Sequence, residues 1–322
     1  MAGRLIQGVW TSKKTWEHAE DGEFRRQASA FRERVAPGGR FDVEAGRYHL
    51  FVSHACPWAH RTLIVRALLG LEDAIGVSVV HPHMTDEGWH FDADDPTYPT
   101  PNHILGERYL RDVYLRADDT FTGRVTVPVL WDTREGTIVN NESREIIEMF
   151  ATVFAPLWTR TRDLYPEAAR AELNVHIDRM YPSINNGVYR CGFAGSQAAY
   201  ERAFSELFEA LDHFDAVLAD RRFLGGDALT LADVCLFPTL LRFDPVYVTH
   251  FKTNLRRIAD YPNLWGYVRD VYAQTHIAET CHLDHIKDHY FLSHPQLNPR
   301  GIVPVGPAVD FSEPTDRGAR FG

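Results

Sequence analysis

The fold of this chain is decided by one stretch of its sequence, Tyr48-His49-Leu50-Phe51-Val52-Ser53-His54-Ala55-Cys56-Pro57-Trp58-Ala59-His60-Arg61. The apolar residues 48–52 predict a strand. The residues after Cys56 predict a helix that ends at Gly70. Pro57 suits the first helical position, because the N–H that proline lacks would have no partner there. We therefore expect Cys56 at the point where a strand passes into a helix.

A cysteine at a helix start is a candidate nucleophile. The unpaired N–H groups and the positive end of the helix favour a thiolate over a thiol, and Arg61 adds positive charge nearby. The alternative is a buried, inert cysteine, which is the usual role of a single Cys. Position 59 is alanine, so Cys56 has no Cys-x-x-Cys partner. A mixed disulfide at Cys56 would need an external thiol, such as glutathione, to resolve it.

Composition restricts the class of protein. The 322 residues, 44% of them hydrophobic, suffice for one large or two ordinary domains. The net charge of −10 argues against nucleic acid as a partner. We find no signal peptide and no apolar run of about 18 residues, so we expect no membrane span. Four scattered cysteines (56, 191, 235 and 281) indicate a reducing compartment, and we expect a cytoplasmic protein.

Histidines are numerous, and five of the sixteen lie near the C-terminus. Two pairs, His282/His285 and His285/His289, have the spacing of one helix face, which would suit a metal site. No Glu or Cys completes a recognisable ligand set, and the cysteines match no zinc spacing. We therefore predict no metal.

Periodicity divides the chain into two halves. Strands are predicted at 77–80, 125–132 (interrupted by Pro128) and 138–139, and helices at 24–35, 107–117 and 141–150. After Phe150 only helical periodicity remains, at 167–180, 198–219, 231–241 and 263–271. Thr230 and Asp233 have capping-box spacing at the start of one of these helices. We expect an N-terminal extension (1–44), an α/β domain (45–152), an all-α domain (160–294) and an irregular C-terminal extension (295–322).

The order of these motifs resembles the glutathione transferases. Their fold joins a thioredoxin-like α/β N-terminal domain to an all-α C-terminal domain, and the resemblance makes Pro128 the cis-proline. Four stretches resemble one subfamily, the glutathionyl-hydroquinone reductases or Xi-class transferases: Cys56-Pro57-Trp58-Ala59-His60-Arg61, Arg124-Val125-Thr126-Val127-Pro128-Val129-Leu130-Trp131-Asp132, Asn140-Asn141-Glu142-Ser143, and Ile286-Lys287-Asp288-His289-Tyr290-Phe291 with Asn298-Pro299.

The resemblance implies roles for particular residues. Cys56 matches the family nucleophile, and Trp89 the indole that covers glutathione. The glutathione-binding segment would comprise Arg124, Val125, Thr126 and Val127, with Val127 pairing its backbone with the cysteinyl part. Glu142 and Ser143 would hold the γ-glutamyl end, because a carboxylate suits its ammonium, and a hydroxyl at a helix start suits its carboxylate. Tyr189 matches the proton donor, and Tyr247 and Tyr290 match two tyrosines that assist the cysteine.

Each of these residues has a structural alternative. Trp89 would then only pack a loop, Glu142 and Ser143 would cap a helix, and Arg124 would be a charge at a strand edge. The tyrosines would be half-buried packing residues with a hydrogen bond.

The resemblance implies that glutathione is the co-substrate and that a Cys56–glutathione disulfide is the intermediate in reduction of glutathionyl-hydroquinones. It also implies a homodimer. A conjugating transferase is an alternative, but it would use a Ser or Tyr hydroxyl to stabilise the glutathione thiolate. Thiol-transferase or dehydroascorbate reductase activity is a further possibility. A non-enzymatic glutathione-binding protein is the alternative of another class, against which the intact Cys56-Pro57 and Glu142-Ser143 pairs count.

Overall fold

The strand that leads to Cys56 belongs to a four-stranded mixed sheet in the computed structural model, which describes residues 3–12 and 21–321. The strands are β1 (Arg4–Ile6), β2 (Val9–Thr11), β3 (Tyr48–Val52), β4 (Ile75–Val79), β5 (Val129–Asp132) and β6 (Thr137–Asn140). The sheet has the order β4-β3-β5-β6, and among neighbouring strands only β3 and β4 pair in parallel, while β1 and β2 form a separate antiparallel pair. All five residues of β3 are buried, as expected for an interior strand that is covered on both faces.

Helices account for most of the remaining structure. They are α1 (Pro57–Leu68), α2 (Leu110–Ala117), α3 (Ser143–Phe150), α4 (Arg170–Met180), α5 (Gly187–Gly192), α6 (Gln197–Val217), α7 (Leu231–Arg242), α8 (Val248–His250), α9 (Leu264–Tyr272), α10 (Leu283–Ser293) and α11 (Arg317–Phe321). Short 3-10 turns lie at 155–157, 167–169, 258–260 and 278–280, and π-helical turns at 181–185 and 243–247. No helix of the described ranges is long and apolar enough to cross a bilayer.

The chain divides into two compact units. The described part of the first comprises 3–12, 27–162 and 280–303, so it contains the sheet, α1 to α3 and also α10. The described part of the second comprises 21–26, 163–279 and 304–321, and its regular structure is entirely helical.

Two details of the sequence analysis are confirmed within these units. The peptide bond between Val127 and Pro128 is cis. Thr230 and Asp233 form the predicted capping box, in which the Thr230 backbone N–H donates to the Asp233 carboxylate at 2.8 Å. The Tyr267 hydroxyl also donates to that buried carboxylate, at 2.9 Å. Asp233 therefore fixes the start of α7 from inside the core of the second unit.

The prediction of a helix at 24–35 is wrong, because this segment forms no helix. Phe31 instead pairs with Asn141: its backbone N–H donates to Asn141 Oδ1 at 3.1 Å, and its carbonyl accepts from the Asn141 backbone N–H at 3.0 Å. These long-range hydrogen bonds override the local helical periodicity. In the predicted irregular tail, α11 is an additional short helix.

Candidate active site

Cys56 is the N-cap residue of α1. Its backbone is extended (φ −77°, ψ 122°), Pro57 begins the helix, and the Cys56 carbonyl accepts from the backbone N–H of His60 at 3.0 Å. The side chain is half-buried, and its sulfur lies 3.6 Å from the carbonyl oxygen of Val127. The sulfur is therefore positioned at the positive end of a helix, beside the residue that precedes cis-Pro128.

A buried cation accompanies the first turn of α1. Arg61 is only 3% exposed, and its guanidinium lies 4.4 Å from the ring centroid of Trp58. The positive end of the helix favours an anionic sulfur at Cys56, and Arg61 adds a second positive charge to the same helix.

The other cysteines have different environments. No cysteine forms a disulfide within the described residues, which include all four. Burial raises the pKa of Cys191 to about 12, and Cys235 is fully buried. Cys281 is half-buried, with its sulfur 3.9 Å from His60 Nε2. Among these side chains, only Cys56 lies at the start of a helix preceded by a strand of the sheet.

The segment Arg124–Val127 leads into the cis-proline. Val125 and Val127 are buried, whereas Arg124 and Thr126 are half-buried. The hydroxyl of Tyr114 donates to the Thr126 carbonyl at 2.8 Å and accepts from the Thr126 backbone N–H at 3.2 Å. The backbone of this segment is thus held from inside the first unit.

Glu142 and Ser143 lie at the start of α3. Glu142 is the N-cap residue, and its carboxylate accepts from the backbone N–H of Arg144 at 3.3 Å and from the hydroxyl of Ser29 at 3.0 Å. The hydroxyl of Ser143 is buried and has no hydrogen-bond partner. A buried hydroxyl without a partner costs free energy. A ligand carboxylate that accepted a hydrogen bond from Ser143 at this helix start would therefore be favoured.

Trp89 lies in the loop between β4 and α2 and is 8% exposed. Its ring stacks on that of His289, with centroids 4.8 Å apart and planes at 22°. His289 is oriented by Pro82, whose carbonyl accepts from Nδ1 at 2.9 Å. Tyr290, the next residue of α10, is almost completely buried. The stacking agrees with a packing role for Trp89, and its contact with glutathione stays a prediction.

The second unit brings Tyr189 and Tyr247 together, with ring centroids 6.2 Å apart. Tyr247 is fully buried and stacks on Phe251 at 5.3 Å. Tyr189 is half-buried, and the guanidinium of Arg26 lies 4.9 Å from its ring centroid. A cation above the face of a phenol stabilises negative charge on that phenol, so this environment suits a proton donor.

The histidines near the C-terminus pack against other aromatic rings. Within 3–12 and 21–321, no group of three or more His, Cys, Asp or Glu side chains could hold a metal ion. His54 stacks on His282 with ring centroids 3.8 Å apart, and the rings of Tyr98 and His285 meet at an interplanar angle of 62° with centroids 4.4 Å apart. These rings pack α10 within the first unit.

Sequence reasoning assigned no role to four residues that contact or support predicted site residues. In the second unit Arg26 contacts Tyr189, and in the first unit these residues are Ser29, Tyr114 and Asn141. Arg26 and Ser29 lie in a polar segment that was assigned to an extension. Their role depends on long-range contacts, for which no local pattern gives a signal.

Comparison with known proteins agrees with this geometry. The family model described as the glutathione S-transferase N-terminal domain matches residues 55–153, and that of the C-terminal domain matches 197–270. The chain is 49% identical to the glutathionyl-hydroquinone reductase YqjG of Escherichia coli, over 99% of this chain and 100% of that protein.

Solved structures show the same similarity. A Xi-class glutathione transferase from Natrialba magadii is 51% identical, with a TM-score of 0.94 over 98% of this chain and 97% of that one. The glutathione-bound structure of Escherichia coli YqjG gives a TM-score of 0.90 at 48% identity, over 99% of this chain and 100% of that one.

Proposed function

The chain belongs to the glutathionyl-hydroquinone reductases, the Xi class of glutathione transferases, and we propose that it uses glutathione to reduce glutathionyl-hydroquinones to hydroquinones. One observation carries the proposal: the sulfur of Cys56 lies at the start of α1 and 3.6 Å from the carbonyl oxygen of Val127. In a conjugating transferase a hydroxyl would take the place of this sulfur.

The first half-reaction breaks the bond between sulfur and the aromatic ring. The Cys56 thiolate attacks the sulfur of the glutathionyl group and forms a disulfide with it. The electron pair of the sulfur–carbon bond passes to the aromatic carbon, which gains a proton from the hydroxyl of Tyr189. The products are a free hydroquinone and a Cys56–glutathione disulfide.

The second half-reaction restores the enzyme. The thiolate of a second glutathione attacks the glutathione sulfur of the disulfide, so oxidised glutathione leaves and Cys56 becomes a thiolate again. The proton of the second glutathione returns, through solvent, to Tyr189. The aromatic carbon gains two electrons, which the glutathionyl sulfur of the substrate and the thiol of one free glutathione supply as they join in oxidised glutathione. The hydroquinone leaves before this free glutathione reacts, so the kinetics are ping-pong.

Glutathione would be bound by three parts of the first unit. The backbone of Val127 would pair with the cysteinyl residue, and Trp89 would cover the tripeptide. The remainder of the segment Arg124–Val127 would line it. Glu142 would contact the γ-glutamyl ammonium, and Ser143 the carboxylate. The partnerless hydroxyl of Ser143 supports this assignment.

Tyr247 and Tyr290 would assist the cysteine by donating hydrogen bonds that favour the thiolate. The family resemblance further suggests a homodimer. The four cysteines without a disulfide suit a cytoplasmic enzyme. Sedimentation of the purified protein would test the dimer.

Mass spectrometry of the intact protein tests the function. Mixed with a glutathionyl-hydroquinone and no free glutathione, the protein should gain one glutathione on Cys56 and release one hydroquinone. Added glutathione should remove the adduct and yield oxidised glutathione. A conjugating transferase would instead form a glutathionyl adduct from a quinone and glutathione and would leave Cys56 unmodified, which would overturn the proposal. Release of hydroquinone without modification of Cys56 would contradict the covalent mechanism.

A further inference from the structure

The hydroxyl of Tyr114 joins the two segments that carry the proposed glutathione contacts. It donates to the Thr126 carbonyl at 2.8 Å and accepts from the Thr126 backbone N–H at 3.2 Å. It also accepts from Asn141 Nδ2 at 3.1 Å. Thr126 lies inside the segment Arg124–Val127, and Asn141 directly precedes Glu142. One oxygen atom thus links the segment Arg124–Val127 to the residue that directly precedes Glu142 and Ser143.

These contacts suffice to use the whole hydrogen-bonding capacity of the hydroxyl, and the Thr126 hydroxyl lies near the same oxygen at 3.3 Å. A phenol has one proton to donate and can accept two hydrogen bonds. Tyr114 is fully buried, and its ring packs against Phe31 and Phe121 at centroid distances of 5.7 and 5.2 Å. Burial also raises the pKa of Tyr114. We therefore expect Tyr114 to hold neighbouring protein groups in place and not to contact a ligand itself.

The orientation of Asn141 is fixed independently. Its Oδ1 accepts from the Phe31 backbone N–H at 3.1 Å, and its own backbone N–H donates to the Phe31 carbonyl at 3.0 Å. The amide nitrogen is thereby directed at Tyr114. The connection from Thr126 through Tyr114 to the start of α3 contains no exposed or freely rotating group.

We propose that Tyr114 is a positioning residue for glutathione. Its hydroxyl fixes the separation between Arg124–Val127 and Glu142–Ser143, so that one tripeptide meets both segments without reordering either. This inference rests on the proposed function, because it takes these segments as the glutathione contacts. A site that is ordered before binding saves the free energy of ordering, so loss of the hydroxyl weakens binding.

The test is Tyr114→Phe, which keeps the ring and removes only the oxygen. We expect its glutathione Kd, measured by calorimetry, to rise about tenfold, because the substitution removes all three hydrogen bonds and leaves the Thr126 N–H and the Asn141 amide without this acceptor. The alkylation rate of Cys56 by iodoacetamide, measured without glutathione, should stay within about twofold of the wild-type rate. Turnover at saturating glutathione should change little, so the loss should appear in KM.

The matched control is Tyr48→Phe. Tyr48 is also buried, and its hydroxyl donates to the Asp42 carbonyl at 2.6 Å, at the end of β3 remote from Cys56. We expect this variant to lose thermal stability without any change in glutathione Kd. Equal weakening in both variants would reduce Tyr114 to a general stabiliser and overturn the inference.

A second variant covers the case in which Tyr114→Phe does not fold. Asn141→Asp keeps an acceptor for Phe31 and removes the donor to Tyr114, and it should also weaken glutathione binding. An unchanged Kd in Tyr114→Phe, or in Asn141→Asp if the first variant does not fold, overturns the inference while the proposed function stands. Failure of the wild-type protein to bind glutathione overturns the proposed function itself.

Discussion

The sulfur of Cys56 lies 3.6 Å from the carbonyl oxygen of Val127, a residue 71 positions further along the chain. The carbonyl is an acceptor for the thiol but a repulsive neighbour for the thiolate. A backbone N–H of glutathione that donates to this carbonyl would occupy it. The start of α1 would then dominate the electrostatics of the sulfur, so binding of glutathione and activation of Cys56 are expected to be coupled.

Cys56→Ala should abolish reduction of a glutathionyl-hydroquinone, because Cys56 is the one cysteine at the start of a helix that follows a strand of the sheet. The proposed contacts of Val127 and Glu142 remain, so the glutathione Kd should stay within about threefold of the wild-type value. Stopped-flow assay of hydroquinone release and calorimetry measure the two quantities. Near-normal turnover by this variant would rule out the covalent mechanism. Cys191→Ala is the control and should keep most of its turnover.

The cysteines of the native protein should differ widely in their alkylation rates. Burial raises the pKa of Cys191 to about 12, so roughly 1 in 10⁵ of its side chains is a thiolate at pH 7. Cys235 is inaccessible. Timed labelling with iodoacetamide and peptide mapping should therefore show Cys56 modified first and Cys191 and Cys235 only after unfolding. Comparable labelling of Cys56 and Cys191 would contradict the assignment.

Ser143→Ala should affect stability and binding in opposite directions. It removes a buried hydroxyl without a partner, so the free energy of unfolding should stay the same or rise. It also removes a donor to the γ-glutamyl carboxylate, and a hydrogen bond to a charged group contributes about 1.5–3 kcal/mol. The glutathione Kd should then rise by about 10- to 100-fold. Denaturation and calorimetry on the same sample test both, and a stability loss without a change in Kd would leave Ser143 a purely structural residue.

Tyr189→Phe should separate the two half-reactions. The aromatic carbon needs a proton only in the first, and general acid catalysis typically contributes about 10²–10⁴-fold. The variant should release hydroquinone that much more slowly, whereas glutathione should reduce a pre-formed Cys56 disulfide at nearly the wild-type rate. Equal slowing of both steps would mean that Tyr189 organises the pocket and is not the specific acid.

The stability of the protein should fall between pH 7 and pH 5. Burial lowers the pKa of His49 to about 4, and its Nε2 lies 2.8 Å from the hydroxyl of Ser78. The unfolded chain binds a proton at His49 below about pH 6.5, whereas the folded protein does not until about pH 4. The free energy of unfolding should therefore drop by about 2 kcal/mol over this window.

His49→Gln tests whether His49 causes this loss of stability, because glutamine keeps a hydrogen-bond donor and cannot be protonated. Urea denaturation at pH 7 and pH 5 should show a smaller difference for the variant than for the wild type. Burial also lowers the pKa of His250 to about 4. This residue reduces stability in the same direction as the pH falls, so the variant should keep a smaller pH dependence of its stability. An unchanged pH dependence in the variant would exclude His49 as a source.

The fold was predictable where local signals and packing agree. The strand before Cys56, the proline after it and the capping box at Thr230 each carry a physical requirement that a few adjacent residues satisfy. The segment from Phe24 to Val35 has helical periodicity, yet hydrogen bonds to Asn141 hold it extended. Contacts between distant parts of the chain determine the conformation of this segment, and no local sequence pattern predicts such contacts.

The residues of the candidate site also differ in how far the sequence predicts them. Cys56, Glu142 and Ser143 stand at helix starts, which the sequence marks. Tyr114 and Ser29 act through one hydroxyl each on residues that are distant in the chain. Their importance follows only from the positions of those hydroxyls in three dimensions.

The place of α10 in the first unit has a consequence for synthesis on the ribosome. About 120 residues separate Arg162 from the segment that returns to this unit. At about 5–20 residues per second, on the order of 10 s pass before the nascent chain supplies α10. Until then Trp89 lacks the ring of His289 on which it stacks. A stop codon shortly before α10 would therefore leave every residue of the sheet translated and the unit that carries Cys56 unfinished.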